Sequence, residues 1–198
     1  MFFKINKKAV FLIFFVLILV IAGVFYYKNR EIKGSPDDYV IIETEQGAIV
    51  ENKKAGLTMK VPDGWEIEKM EIMEGSMVFY TPDAESVRPN KKNSPPLSKG
   101  CVMEIAVGYK KMTFNEIKRK IEEGHKLLGM KYDEFEEIEI NGKSALKNTF
   151  ECIELGSSIA AYSLSQGKLY QLSIISSPQD IERCSKEFDE FLKGVFIE

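Results

Sequence analysis

Residues 9–27 form an uninterrupted apolar run, and this feature constrains the N-terminal part of the chain more than any other. The 19 residues carry no charged side chain. As an α-helix they would extend for about 28 Å, close to the hydrocarbon thickness of a bilayer. A helix satisfies its own backbone hydrogen bonds in lipid, which an open strand or a loop does not. The run therefore predicts a transmembrane helix at 9–27, preceded by a basic tail at 1–8.

Two features bear on cleavage and orientation. Val20-Ile21-Ala22 resembles a signal-peptidase site, but the apolar run continues for five residues beyond it, so we favour an uncleaved anchor over a cleaved signal peptide. Each flank carries three basic residues: Lys4, Lys7 and Lys8 before the run, and Lys28, Arg30 and Lys33 after it. The free amino terminus adds a fourth positive charge to the first flank. We therefore predict a cytoplasmic N-terminus and an extracytoplasmic C-terminal domain in the cell membrane.

The charge of the chain changes after the apolar segment. Residues 1–34 carry six Lys or Arg and one acid, whereas residues 35–198 carry 21 Lys or Arg and 29 Asp or Glu, a net charge of −8. A surface of that sign repels phosphates, which disfavours nucleic acid as a partner. We interpret 28–38 as a linker and 39–198 as a single folded domain, which we expect to be monomeric.

Short alternating segments separated by turn residues dominate the domain. Cys101, Met103, Ile105, Val107 and Tyr109 alternate with other residues and predict a half-buried strand. Asn141-Gly142 and Gln166-Gly167 each separate two apolar segments and predict hairpins. Strand and helix patterns do not alternate regularly, so a parallel sheet is disfavoured. The expected fold is α+β, a mostly antiparallel sheet of six to eight strands with two amphipathic helices packed on it.

The two helices have recognisable starts. Thr113 with Glu116 forms a capping box, and Gly129 marks the end of this first helix. Ser177 followed by Pro178 predicts the start of the second. The apolar face of the first helix is Phe114, Ile117, Ile121 and Leu128, and that of the second is Ile181, Cys184, Phe188, Phe191 and Leu192. The segment 195–197 is expected to close the fold as a short strand.

The segment from Gly56 to Trp65 has the pattern G-x-x-M-x-V-P-x-x-W. This pattern, with the order of strands and helices over about 55–198, resembles the PsbP-like α/β/α sandwich family. The family includes an extrinsic photosystem II subunit, a Ran-binding import factor and bacterial envelope proteins. The resemblance implies a non-catalytic binding or assembly role and transfers no functional residue. We expect Trp65 to pack beneath a helix.

The three cysteines all lie on predicted core faces. Cys101 and Cys152 are on strands and Cys184 is on the second helix. Buried unpaired thiols are the favoured interpretation. Because the domain is expected outside the cytoplasm, a disulfide is the alternative. If one forms, Cys152–Cys184 is the preferred pair and Cys101–Cys184 the second choice.

Candidate functional residues are few. The segment 82–100 holds four prolines and no regular period, so it predicts a long loop. Its basic residues are Arg88, Lys91, Lys92 and Lys99, which suggest a contact with an acidic partner, with a solvated loop as the alternative. The single histidine, His125, lies at the edge of a helix face and is interpreted as a packed residue rather than a base or a ligand. We assign no catalytic residue, cofactor or metal site.

The sequence thus predicts a membrane-anchored, extracytoplasmic domain that binds or assembles with a protein partner and has no catalytic activity. The bilayer is the second expected partner, through residues 9–27. The alternative from another class is a cell-envelope enzyme whose site forms only in three dimensions.

Overall fold

The computed structural model describes residues 32–45, 47–70, 76–88, 95–152 and 156–198. The chain divides into two units, Met1–Ile32 and Lys33–Glu198. The predicted tail at 1–8 and transmembrane helix at 9–27 lie outside the described residues. Among the described residues, no helix combines the length and the apolar character needed to cross a bilayer.

The described residues form fifteen strands, one 3-10 turn and two α-helices. This exceeds the six to eight strands expected in one sheet, because five strands are only two or three residues long and the strands divide between two main sheets. The strands are β1 (Ile32–Lys33), β2 (Val40–Thr44), β3 (Gly47–Asn52), β4 (Leu57–Lys60), β5 (Glu66–Met70), β6 (Ser76–Tyr80), β7 (Glu85–Ser86), β8 (Leu97–Lys99), β9 (Cys101–Tyr109), β10 (Lys131–Tyr132), β11 (Glu136–Ile140), β12 (Lys143–Cys152), β13 (Gly156–Ser165), β14 (Lys168–Ser176) and β15 (Val195–Ile197). The 3-10 turn is Pro36–Asp38, and the helices are α1 (Phe114–Leu127) and α2 (Ile181–Lys193).

Two sheets organise the domain. The larger has the strand order β10-β12-β13-β14-β9-β6-β5, with β11 also paired to β12, and the smaller has the order β15-β4-β3-β2. These neighbours run antiparallel. The architecture confirms the predicted antiparallel α+β fold with two helices. It also leaves β2 at one edge of the smaller sheet and β5 at one edge of the larger sheet.

The principal core lies on one face of the larger sheet. Cys101, Met103, Ile105 and Val107 alternate along β9 and are buried there, as predicted. They share a cluster with buried residues of the smaller sheet and of α2: Val50, Leu57, Met59, Cys184, Phe188, Phe191 and Leu192. Helix α1 packs on the opposite face, because Ile117 contacts Ala160 and Tyr162, whose neighbours Ile159 and Ala161 point into the principal core. The two helices therefore cover opposite faces of the larger sheet.

The capping box at the start of α1 is confirmed. The Thr113 side chain accepts from the Glu116 N–H at 3.3 Å, and the Glu116 carboxylate accepts from the Thr113 N–H at 2.8 Å. The prediction that Leu128 lies on the buried face was wrong. Leu128 is the residue after the last helical turn and is 68% exposed, because the chain has left the helix before that residue can rotate toward the sheet.

Helix α2 begins three residues later than predicted. Its N-terminal flanking residue is Asp180, not Ser177. Ser177 Oγ donates to Asp180 Oδ2 at 2.6 Å, and the Gly100 N–H donates to the same oxygen at 2.8 Å. Both hydrogen bonds hold the pKa of the Asp180 carboxyl below its usual value. The hydrogen bond from Gly100, 80 residues away in sequence, thus helps to fix the start of the helix, and a local sequence pattern cannot reveal it.

A disulfide joins Cys101 on β9 to Cys184 on α2, with the Cα atoms 5.7 Å apart. The favoured prediction of unpaired thiols was therefore wrong for these two residues, and so was the preferred pair Cys152–Cys184. Residues paired across neighbouring strands connect Cys101 on β9 to Glu151 on β12, three strands away. With strands spaced about 4.8 Å apart, Cys152, next to Glu151, is about 14 Å from Cys101. A disulfide requires Cα atoms within about 7 Å of each other. Because Cys184 lies beside Cys101, it is too far from Cys152 to pair with it.

The described parts of the 82–100 segment, 82–88 and 95–100, contain more regular structure than the predicted loop. Strands β7 and β8 lie within it and pair with each other. Ala84 and Leu97 are buried against Val78 and Val102, on the face of the larger sheet opposite the principal core. Gly100 closes the segment with a φ of +84°, and a Cβ atom there would lie 2.5 Å from the Ala84 Cα. This segment therefore contributes a small core of its own.

Candidate functional site: the groove between strands β2 and β5

A turn after β4 places the single tryptophan at a groove. The Trp65 N–H donates to the Pro62 carbonyl at 3.1 Å, and Gly64 adopts a φ of +78° that few other residues tolerate. The Val61 N–H donates to the Ala48 carbonyl at 2.9 Å and ties the start of the turn to β3. The turn therefore carries the chain from the smaller sheet to the larger one and leaves Trp65 between them.

The groove lies where the open edges of the two sheets approach each other. It has a volume of about 570 Å³. Ile41 and Glu43 line it from β2, and Glu66 and Ile67 line it from β5. The remaining lining residues come from β3, the turn and β6: Gly47, Ala48, Val61, Pro62, Asp63, Gly64, Trp65 and Tyr80. We call this concavity the Trp65 groove.

Trp65 is half-buried. Part of its ring packs against the principal core, and the rest lines the groove. The sequence led us to expect a tryptophan packed beneath a helix, whereas the structure exposes one side of the ring to a cavity. An indole that is half-buried offers apolar area and a π face to a partner without having to be extracted from the core.

Strand β2 is an edge strand with little protection against further pairing. Val40, Ile41 and Ile42 are 51%, 37% and 38% exposed. Among the described residues its only strand partner is β3, so one side of its backbone faces no other strand. Natural edge strands usually carry lysine, proline or a bulge that blocks further pairing. Between Val40 and Thr44 there is no lysine, proline or bulge, and the one charged residue is Glu43, so a chain with a basic residue opposite Glu43 can pair with this strand.

The rim of the groove is negatively charged. Glu43, Asp63 and Glu66 are exposed, and no lysine, arginine or histidine belongs to the lining. These three carboxylates form no ion pair within the described part of the chain. The neighbouring concavity shares Val61, Pro62 and Asp63 with the groove, but its charges are mixed: Glu187 and Glu190 are accompanied by Lys60 and Lys193, and Lys193 pairs with Glu190 at 2.6 Å. The groove itself has an apolar floor with an acidic rim, which favours a partner that combines apolar and basic side chains.

Of the basic contact residues predicted in the 82–100 segment, the described ones, Arg88 and Lys99, do not line the Trp65 groove. Arg88 is exposed, and the Lys99 ammonium lies 3.6 Å from Asp83, which also pairs with Arg183 at 3.2 Å. Lys91 and Lys92 lie outside the described residues. The positive charge of Lys99 is thus partly neutralised within the domain, and the proposed contact with an acidic partner stays a prediction.

Burial also shifts the pKa values of His125 and Glu104, which lie outside the groove. His125 is a buried residue of α1, its ring centroid lies 4.7 Å from that of Phe150 and 5.1 Å from that of Tyr132, and burial lowers its pKa. This is the packed histidine that the sequence predicts. Burial raises the pKa of Glu104 on β9, which is hydrogen-bonded to Ser76 on the adjacent strand. Within the described ranges, no group of three or more His, Cys, Asp or Glu residues is placed to hold a metal ion.

Sequence reasoning missed the groove because its parts are distant in sequence. Ile41, Trp65 and Tyr80 come from three different elements, and only the sheet order brings them together. One signal was available: the run Val40-Ile41-Ile42, apolar at three successive positions, does not alternate as a strand with one solvated face does.

Comparisons with known proteins agree on the fold. No family model and no curated protein matches the sequence. The cyanobacterial PsbP protein (CyanoP) of Synechocystis sp. PCC 6803 is similar over 81% of this chain and 92% of its own, with 9% identity and a TM-score of 0.52. LpqN of Mycobacterium tuberculosis is similar over 71% of this chain and 82% of its own, with 12% identity and a TM-score of 0.53. At these identities the likeness establishes architecture alone. The chain therefore has a PsbP-like fold, as the G-x-x-M-x-V-P-x-x-W segment indicated.

Proposed function

We propose that this protein is a membrane-anchored, extracytoplasmic binding protein without catalytic activity, and that the Trp65 groove is its binding surface. The observation that carries the proposal is the half-buried Trp65 in an acidic-rimmed groove, beside an exposed apolar edge strand. Contiguous exposed apolar surface of this kind marks interaction sites on soluble domains.

The location of the domain rests on two independent features. The uncharged run at 9–27 has the length of a membrane span. The Cys101–Cys184 disulfide supports an oxidising compartment, because cytoplasmic thiols are kept reduced in most organisms. LpqN, which shares the fold, is described as involved in cell envelope biogenesis, and a place in the envelope accords with that description.

Anchoring and orientation can be tested together. Carbonate washing of membranes should leave the full-length protein in the pellet, because a transmembrane helix is not released by high pH. Protease added outside intact spheroplasts should digest the domain. Release of the domain by carbonate, or protection from external protease, would contradict the proposed anchoring or orientation, respectively.

Binding can be tested by quantitative affinity capture of proteins from detergent-solubilised membranes. Glu43→Lys inverts one charge at the rim of the groove, and Glu122→Lys makes the same change at an exposed position on α1, across the larger sheet from the principal core. The proposal predicts that the first variant loses the captured partner and that the second retains it. Equal capture by the wild type and both variants would move the binding surface away from the groove.

A further inference from the structure

We propose that the occupant of the Trp65 groove is an extended, basic segment of a partner protein that adds to the smaller sheet as a fifth strand beside β2. This inference rests on the proposed function, since it specifies the partner of the same groove. Strand addition is a common way for a domain to bind an extended peptide, because main-chain hydrogen bonds supply affinity and alternate side chains supply specificity.

The backbone of β2 is available for such pairing. Its five residues are all exposed, and in the described part of the chain β3 is the only strand beside it. Strand β5, across the groove, is also an edge. It carries three charges, Glu66, Glu68 and Lys69, which discourage pairing, whereas β2 carries one, Glu43, which an added strand can pair with a basic residue. The geometry therefore favours β2 as the receiving strand.

Alternation along β2 defines which side chains of an added strand enter the groove. Ile41 and Glu43 line the groove, so Val40 and Ile42 point to the opposite face of the sheet. Directly opposed residues of neighbouring strands interact, and opposite charges across a strand pair are favourable. An added strand should thus place an apolar residue opposite Ile41 and a lysine or arginine opposite Glu43.

The floor and the rim of the groove suit that basic side chain. Asp63 and Glu66 add two carboxylates to Glu43, and the Trp65 ring offers a π face to a cation. A lysine or arginine reaching into the groove can lie over the ring with its charge close to these carboxylates. On the other face of the sheet, Val40 and Ile42 offer apolar contacts to the alternate side chains of the same segment.

The test uses the full-length protein in phosphatidylcholine nanodiscs and a synthetic probe. Trp65 is the only tryptophan of the chain, so its fluorescence reports directly on the groove. The probe is a terminally blocked nonapeptide, V-T-K-T-V-T-K-T-V, which alternates valine and lysine on one face and carries threonine on the other, and its matched control replaces each lysine with glutamate. The proposal predicts a saturable change of Trp65 fluorescence with the lysine peptide and none with the glutamate peptide. Equal responses to both peptides, or a response to neither, would overturn it.

Charge reversal sharpens the assignment to β2. Glu43→Lys should weaken binding of the lysine peptide by about tenfold, since one favourable cross-strand pair becomes a repulsive one. It should also create measurable binding of the glutamate peptide. Glu122→Lys is the matched control and should change neither affinity. An unchanged affinity in Glu43→Lys would contradict a basic residue opposite Glu43.

Backbone methylation separates strand addition from simple electrostatic attraction. Successive N–H groups of a strand point to opposite sides, so methyl groups on one alternate set should abolish binding while those on the other set have little effect. Equal tolerance of both sets would exclude strand addition. The capture experiment with membrane proteins tests the proposed function independently. If the peptide test fails but a membrane protein is still captured through the groove, the proposed function stands and only strand addition is overturned.

Discussion

Cys101 and Cys184 are separated by 83 residues in sequence and joined by a disulfide that fixes α2 to the central strand β9. The bridge closes a long loop, which restricts the unfolded chain. Converting both cysteines to alanine should lower the free energy of unfolding by about 2–5 kcal/mol. Urea unfolding of the oxidised wild type and the double variant measures the difference.

The thiol count provides the control for that prediction. Denaturation without a reducing agent should expose a single thiol to maleimide, that of Cys152, and Cys152→Ala should expose none. Three reactive thiols would mean that the disulfide is absent, and the argument for an oxidising compartment would be lost with it.

Trp65 should contribute less to folding than a core aromatic residue does. Phe188 on α2 is fully buried, and Phe188→Ala should cost about 3–5 kcal/mol. Because part of the Trp65 ring faces the groove, Trp65→Ala should cost only about 1–2 kcal/mol. Urea unfolding followed by circular dichroism compares the two variants without relying on tryptophan fluorescence. A loss as large as that of Phe188→Ala would mean that Trp65 is a core residue with little surface to offer a partner.

The stability of the domain should fall in mildly acidic solution because of His125. Burial between aromatic rings lowers the folded-state pKa of the imidazole, whereas the unfolded chain has the ordinary value of about 6.5. Below that pH the unfolded state binds the proton more readily. The contribution of His125 to stability is therefore fully present above about pH 6.5 and is lost as the pH falls toward the lowered folded-state value.

Replacing the imidazole with a ring that does not titrate isolates this effect. His125 is the only histidine, so His125→Phe should flatten the decline in unfolding free energy between about pH 7 and pH 5.5. Parallel curves for the wild type and the variant would show that the imidazole is not desolvated in the folded state.

Local features of the fold were predictable from the sequence because they depend on neighbouring residues. The Thr113–Glu116 capping box spans three residues, and Asn141-Gly142 forms its hairpin turn with φ angles of 47° and 78°. The start of α2 was not predictable in this way, since Asp180 is fixed by the distant Gly100. The pairing of Cys101 with Cys184 likewise follows from the order of strands, which local patterns do not contain.

The candidate site depended even more on long-range organisation. Trp65 was predicted to pack beneath a helix, and only the approach of the two sheet edges brings it into one groove with Ile41. The basic segment around Arg88 drew attention because its charge contrasts with that of the domain. The acidic rim did not attract attention, because its three carboxylates are among the 29 acidic residues of 35–198, a segment whose net charge is −8.

Site-specific photo-crosslinking in living cells tests the central claim, that a partner occupies the Trp65 groove, most directly. A photo-reactive amino acid in place of Ile41 lies on the groove side of β2, and the same amino acid in place of Leu127, which is 86% exposed at the end of α1, is the control. If a partner occupies the groove, position 41 should give a discrete crosslinked partner that is lost on adding Glu43→Lys, and position 127 should give none. Crosslinking of the same partner from position 127 but not from position 41 would contradict it.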